Sequence, residues 1–223
     1  MPDIDLYAAM STLRAVRRLR PDPIPDDVLE RVLTAATWAP SGGNREPWRI
    51  VLVRNAELKS ELGSLYKERW DQFAAMYRQG IAHLQEEEKA AQERIIDSGN
   101  YLAENFAATP AIAIFCFDSR QMAITDAKLE RVSVVGGGSV YPAVQNLLLA
   151  CRKEGLGCCL TTLLCECEEE VKQLLGIPGN WGTAAAIPMG YPLLGGHGSI
   201  KRSPVKKLSY SDKWKQPLFG DSE

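Results

Sequence analysis

The chain has 223 residues, 45% hydrophobic and 24% charged, which suits one sizeable globular domain and excludes a disordered chain. A net charge of −2 offers no general attraction to nucleic acid or an anionic membrane, and no apolar run reaches the roughly 18–20 residues that span a bilayer. The opening MPDIDLYAAMSTLR lacks the basic-then-apolar order of a signal peptide, so a cytoplasmic protein is expected. Six cysteines form no CxxC pair and only two histidines accompany them; the expectation is reduced thiols and no metal site.

Residues 3–13 read as a short amphipathic helix. Pro25-Asp26-Asp27 opens a second, with acids where the helix dipole favours them. Val28, Leu29, Val32, Leu33, Ala36 and Trp38 recur along it at helical spacing. Ala39-Pro40-Ser41-Gly42-Gly43-Asn44 then breaks the chain with a loop. A strand is predicted over 48–53, mostly helix over 56–106, and a strand over 111–117 that is apolar on both faces and so buried. Gly136-Gly137-Gly138 leads into a helix over 140–154, apolar nearly all round. A third strand is predicted over 156–162, a helix over 168–175 closed by Gly176, and a fourth strand over 183–187. The last thirty residues read as no compact element, yet they hold Tyr210, Trp214, Leu218 and Phe219; so many large apolar groups imply docking, most naturally on a second subunit.

Four segments could carry chemistry. In LRAVRRLRP, Arg14, Arg17, Arg18 and Arg20 make a cationic cluster that is either an anion site or a solvated surface. In APSGGNREPW, the glycines permit close backbone approach to a flat ligand, and Ser41 and Asn44 offer polar groups to a ring edge; a plain helix-to-strand loop is the alternative. Thr161 and Thr162 end a strand, where ligands of open sheets often sit, although threonine there also reflects β-propensity. Lys201 and Arg202 put a second basic point in the tail. Residues 64–100 carry Tyr66, Trp70, Phe73, Met76 and Tyr77, mostly three or four apart, as either core packing or an aromatic wall over a ligand.

In this order the segments resemble the FMN-dependent nitroreductase superfamily, which includes flavin reductases, iodotyrosine deiodinase and the flavin-cleaving enzyme of cobalamin ligand synthesis. The strongest part is PDPIPDDVLERVLTAATWAPSGGNREPW, followed by the Gly-Leu-Gly strand running into TT, the IPMGYP segment and the KRSPV tail. The resemblance implies an α+β fold with a central, mostly antiparallel sheet sandwiched by helices. It implies one domain over 1–223 with a lid excursion at about 60–108, in an intertwined homodimer with exchanged C-terminal tails. FMN would sit at the dimer interface. Carried over by position, Arg14 and Arg202 would bind its phosphate, and Arg17 would lie near the pyrimidine edge, where a cation stabilises the negative charge that reduction places there. Ala15 falls within that cofactor motif. Pro40, Ser41 and Gly42 of the other subunit would line the ring with Asn44 close by, and Thr161, Thr162 and Leu163 would run along its N5 side, with Thr161 or Thr162 as the donor.

The implied activity is a ping-pong reduction of small aromatic or conjugated acceptors (nitroaromatics, quinones, enones) by NADH or NADPH, with no catalytic side chain and no metal. Alternatives are a dehalogenating or desaturating enzyme for one metabolite, and a protein that stores FMN. Two departures stand out. Leu13 and Ala15 occupy positions where the family carries Arg and Ser, so Arg18, Arg20 or Lys201 would have to compensate. The deiodinase branch grips its substrate with a lid Glu, Tyr and Lys; the Lys position falls on Ala103 and the Glu-to-Tyr spacing is absent, which disfavours a deiodinase. The flavin-cleaving branch carries an acid in the Arg motif, against which Ala15 speaks.

Overall fold

The computed structural model describes residues 4–219. Its elements are α1 (Leu6–Thr12), α2 (Asp26–Thr37), β1 (Trp48–Val53), α3 (Ala56–Ile81), α4 (Glu86–Asn105), β2 (Ala111–Phe117), α5 (Tyr141–Lys153), β3 (Gly157–Cys158), α6 (Glu168–Leu175), β4 (Gly182–Gly190) and α7 (Val205–Leu208). The four strands form one antiparallel sheet in the order β1-β2-β4-β3. This is the expected α+β arrangement.

β2 lies at the centre, and the two-residue period of a strand sends its side chains into two cores. Ala111, Ala113 and Phe115 face α2 and α5, where they meet Val32, Ala36, Val144 and Leu147. Ile112, Ile114 and Cys116 face α3 and α4, where they meet Leu62, Tyr66, Ile96 and Leu102. Local signals set the helix ends. Asp26 and Asp27 fill the first turn of α2, Asn55 caps α3 by accepting from Leu58 N, and Gly176 closes α6 at φ 67°, a conformation that costs glycine little.

Two strands differ from their predicted limits, and one residue explains both. The fourth strand runs on through Pro188 to Gly190, while the third pairs only at Gly157–Cys158 and again at the isolated bridge Thr161–Ala186. Thr161 and Ala186 exchange both backbone bonds, at 3.0 and 2.8 Å. Two residues along each strand, the same register sets Pro188 opposite Cys159 in a pair of the same kind. Proline has no N–H to give, so the ladder is interrupted there and residues 159–160 fall outside the paired strand. The tail is also more ordered than expected: it forms α7, and Tyr210 and Pro217 pair across a turn that stacks Tyr210 edge-on to Trp214.

Candidate active site

Residues 159–163, around the break in the ladder, line a cavity of about 300 Å3 together with Arg17, Tyr66, Trp70, Phe73, Tyr77, Ile95 and Ile96. Arg17 arrives on the extended segment after α1. That segment is pinned to β3 by a bond from Val16 N to Cys158 O (2.9 Å) and by close contact with Gly157, where a Cβ would stand 2.6 Å from Val16 Cγ1. The arginine cluster separates on this segment. Arg18 stacks over Tyr101 at 4.2 Å, and Arg20 pairs with Asp22 and lies over Tyr191. Neither Arg18 nor Arg20 lines the cavity. Arg14 and Arg17 have no carboxylate partner among the described residues. Ala15 is exposed.

The two threonines diverge as well. Thr161 is buried, with its backbone committed to Ala186. Its hydroxyl accepts from Leu163 N (3.4 Å) and hydrogen-bonds Tyr66. Tyr66 itself is buried, stacked on Phe106 at 4.2 Å, and burial pushes its hydroxyl up to about 12. Thr162 is exposed; its N–H and hydroxyl have no partner among the described residues, and only its carbonyl is used, accepting from Cys165 N. Leu163 begins the 3-10 turn Leu163–Cys167. Thr162 also borders a second cavity, of about 520 Å3, beside Gly136, Gly137 and Tyr141. Cys159 is buried at the rim; desolvation pushes its thiol up and the adjacent Arg17 opposes that.

One cavity wall is an aromatic ladder on α3. Trp70 and Phe73 lie 5.5 Å apart and Phe73 and Tyr77 5.7 Å apart. Trp70 Nε1 donates to Asn100 Oδ1 (2.8 Å) and the Tyr77 hydroxyl to Gln92 Oε1 (2.7 Å), both on α4. Trp70 presses on Gly99, where a Cβ would come within 1.9 Å of the indole. Met76, expected on the same face, is 67% exposed and outside the wall. Sequence reading missed Gly99, Ile95 and Ile96. A glycine inside a helix costs about 1 kcal/mol relative to alanine, and that cost was the available signal of close packing.

The loop at 40–44 stands apart. Ser41 Oγ accepts from Glu46 N (2.9 Å) and Gly42 N donates to Ser139 Oγ (3.0 Å), with Pro40, Gly42 and Asn44 exposed. Gly43 and Asn44 have φ of 60° and 53°. None of these residues lines the cavity with Arg17 and Thr162. Arg202 is exposed and turns Nη1 to Lys201 O. Among the described residues, no three His, Cys, Asp or Glu side chains are grouped to hold a metal, and no helix is long and apolar enough to cross a membrane.

The family model described as the nitroreductase family matches residues 11–191. The chain is 30% identical over 216 residues to a Thermus thermophilus protein named NADH dehydrogenase, covering 93% of this chain and 96% of that one. It is 27% identical over 191 residues to iodotyrosine deiodinase 1 of Rattus norvegicus; the match covers 86% of this chain and only 63% of that relative's length. Among solved structures, an iodotyrosine deiodinase bound to FMN and 3-iodo-L-tyrosine superposes with a TM-score of 0.67 at 22% identity, covering 90% and 96% of the two chains. A nitroreductase with bound FMN from Desulfitobacterium hafniense does so at 0.65 and 18%, covering 92% and 96%.

Proposed function

The chain belongs to the nitroreductase family, and from that premise we propose that it is an FMN-dependent oxidoreductase that takes electrons from NADH or NADPH and passes them to small conjugated acceptors such as nitroaromatics, quinones and enones. One observation carries this reading: Arg17, the unpartnered Thr162 N–H and an aromatic wall share one cavity. The donor set fits FMN. Arg14 and Arg17, three residues apart on an extended segment, are separated by about 10 Å of chain, room for an anionic end and a ring end on one strip of protein.

FMN, when bound, supplies the acceptance and delivery of hydride. The residues supply the setting. Arg17 offers a fixed cation to the ring edge that gains negative charge, and Thr162 offers a hydrogen-bond donor to the ring's N5 side. Trp70, Phe73 and Tyr77 give an apolar surface against which donor and acceptor stack in turn, with water excluded. No side chain acts as a nucleophile: Cys159, the thiol in the cavity, is held protonated by burial.

The dehalogenating alternative narrows. Among the described residues Arg17 is the single charged one in the cavity lining, and Ala103 is buried in the core, so an amino-acid substrate finds no carboxylate among them for its ammonium group. The storage alternative calls for a filled slot above the ring, and bound FMN that NADH and NADPH fail to bleach would favour it.

We place the site at the interface of a homodimer, with the second copy's Pro40, Ser41, Gly42 and Asn44 completing it. Supporting this are the exposed loop at 40–44, the outer edge of β1, which is unpaired among the described residues, and exposed Tyr7, Trp38, Trp214 and Phe219. The unpaired state of all six cysteines fits a reducing, cytoplasmic setting. The test is visible spectroscopy followed by anaerobic stopped flow. The protein should take up FMN, NADH or NADPH should bleach it, and an aromatic nitro compound or quinone should restore the colour. A protein that takes up no FMN ends the flavin reading; one that binds FMN but is not bleached ends the reductase reading.

A further inference from the structure

Thr12, the last residue of α1, gathers two distant parts of the chain. Its carbonyl accepts from Gly198 N (3.2 Å), and its hydroxyl oxygen accepts from Arg152 Nε (3.0 Å) near the end of α5. Two residues on, Arg14 reaches the same place: a Cβ on Gly198 would stand 3.4 Å from Arg14 Nη1. His197 stands beside them. Its Nε2 lies 2.9 Å from Leu156 O. A carbonyl only accepts, so Nε2 carries the proton, and Nδ1 is left buried without a partner. Burial first, then the charges of Arg152 and Arg14, hold His197 below its ordinary range.

Two guanidinium groups and an imidazole thus converge from three segments, and no carboxylate among the described residues pairs with any of them. Glu154, the nearest acid along α5, is taken by Arg31 at 2.9 Å. Arg152 has a neutral hydroxyl as its partner, which leaves its terminal nitrogens able to donate. Uncompensated like charges repel, so an arrangement of this kind calls for an anion.

We propose that Arg14 and Arg152, seated on Thr12 and flanked by His197, form the seat of a phosphate monoester, the phosphate of FMN, and that Arg152 supplies the cation missing at Leu13. The proposal rests on the flavin reading of the neighbouring cavity. It follows from the course of the segment after α1, which carries Arg14 at the cation cluster and Arg17 at the cavity, with Val16 N fixed to Cys158 O between them. A side chain on Gly198 would occupy the space in front of Arg14.

The experiment compares FMN with riboflavin, which lacks the phosphate, in equilibrium binding to the full-length apoprotein by flavin fluorescence. Arg152→Met should weaken FMN binding about tenfold or more, leave riboflavin binding unchanged and reduce the salt dependence of the FMN dissociation constant. Arg152→Lys should recover part of the FMN affinity. The wild type should itself show a salt-dependent FMN affinity and a salt-independent riboflavin affinity, which tests the seat even if Arg152→Met fails to fold. An Arg152→Met protein that binds FMN like the wild type, or that loses FMN and riboflavin alike, overturns the proposal. If the wild type takes up neither flavin but binds inorganic phosphate by 31P NMR in an Arg152-dependent way, the seat stands and the flavin reading falls. If it binds none of the three, the seat falls as well.

Discussion

At the residue scale, neighbours of the same type separate once each hydrogen bond is traced. Thr161 serves the fold, while the Thr162 N–H has no partner among the described residues; Arg18 and Arg20 meet Tyr101 and Asp22, whereas Arg14 and Arg17 have no carboxylate partner among the described residues. Composition shows four arginines in seven positions without saying which lack partners, because that depends on Tyr101, Asp22 and Tyr191 arriving from elsewhere in the fold. Arg17 carries a measurable expectation. A charge-assisted hydrogen bond contributes about 1.5–3 kcal/mol, equivalent to about 30–60 mV in a two-electron couple. Arg17→Met should therefore shift the midpoint potential of bound FMN more negative by about that amount in spectroelectrochemical titration. An unchanged potential would remove Arg17 from the ring edge.

At the element scale, α3 and α4 meet through the indole of Trp70 lying on Gly99. Gly99→Ala sets a helix gain of about 1 kcal/mol against overlap with a ring that the Asn100 bond holds in place, an overpacking cost of about 1–3 kcal/mol. The overlap should win. The variant is expected to melt at a lower temperature and to show an altered KM for aromatic acceptors, with FMN affinity kept; a raised melting temperature with the same KM would contradict this seating. The loop after β2 shows a different control. Asp126 is buried and accepts from Ser133 Oγ, Arg131 Nη1 and Val134 N, and these bonds, Ser133's foremost, lower its pKa to about 2. A carboxyl whose folded pKa lies below its ordinary value stabilises the fold above that value, and the stabilisation is lost as pH falls through the folded one. Melting temperature should therefore drop between about pH 4 and 2. Asp126→Asn should start lower at neutral pH and lose less over that interval; parallel curves would exclude Asp126 as a source of the drop.

Most elements were legible from periodicity and caps: β1 and β2 match their predicted limits, and α6 ends at Gly176 as its sequence indicates. The missed limits, at β3 and β4, came from one cross-strand effect. A proline reads locally as the end of its own strand, but here Pro188 breaks the neighbouring one. The candidate site was legible as a set of segments and illegible as partners, since His197, Arg152 and Gly99 acquire meaning from contacts across the chain.

At the scale of the whole molecule, several large side chains and one sheet edge are left uncovered. Tyr7 is 81% exposed, Trp38 75% and Trp214 80%, and the outer edge of β1 is unpaired among the described residues, features that ordinarily mark an interface. Sedimentation should give the mass of two chains. Truncation after Pro204 should shift the protein toward monomer and lower FMN uptake in the same samples; a stable dimer with full uptake would show that the tail is dispensable to both.

The seat of Trp70 on Gly99 also bears on how the protein can change over time. The aromatic wall belongs to α3 and α4, whereas Arg14, Arg17 and Arg152 belong to α5 and the segment after α1. Arg17 shares the cavity with that wall, but Arg14 and Arg152 do not line it, so substitutions that reshape the acceptor's side leave those two cations untouched. Glycine and alanine codons differ at one base, so a single mutation at Gly99 would set a new preference among acceptors, and the lineage could explore substrates without first losing its flavin.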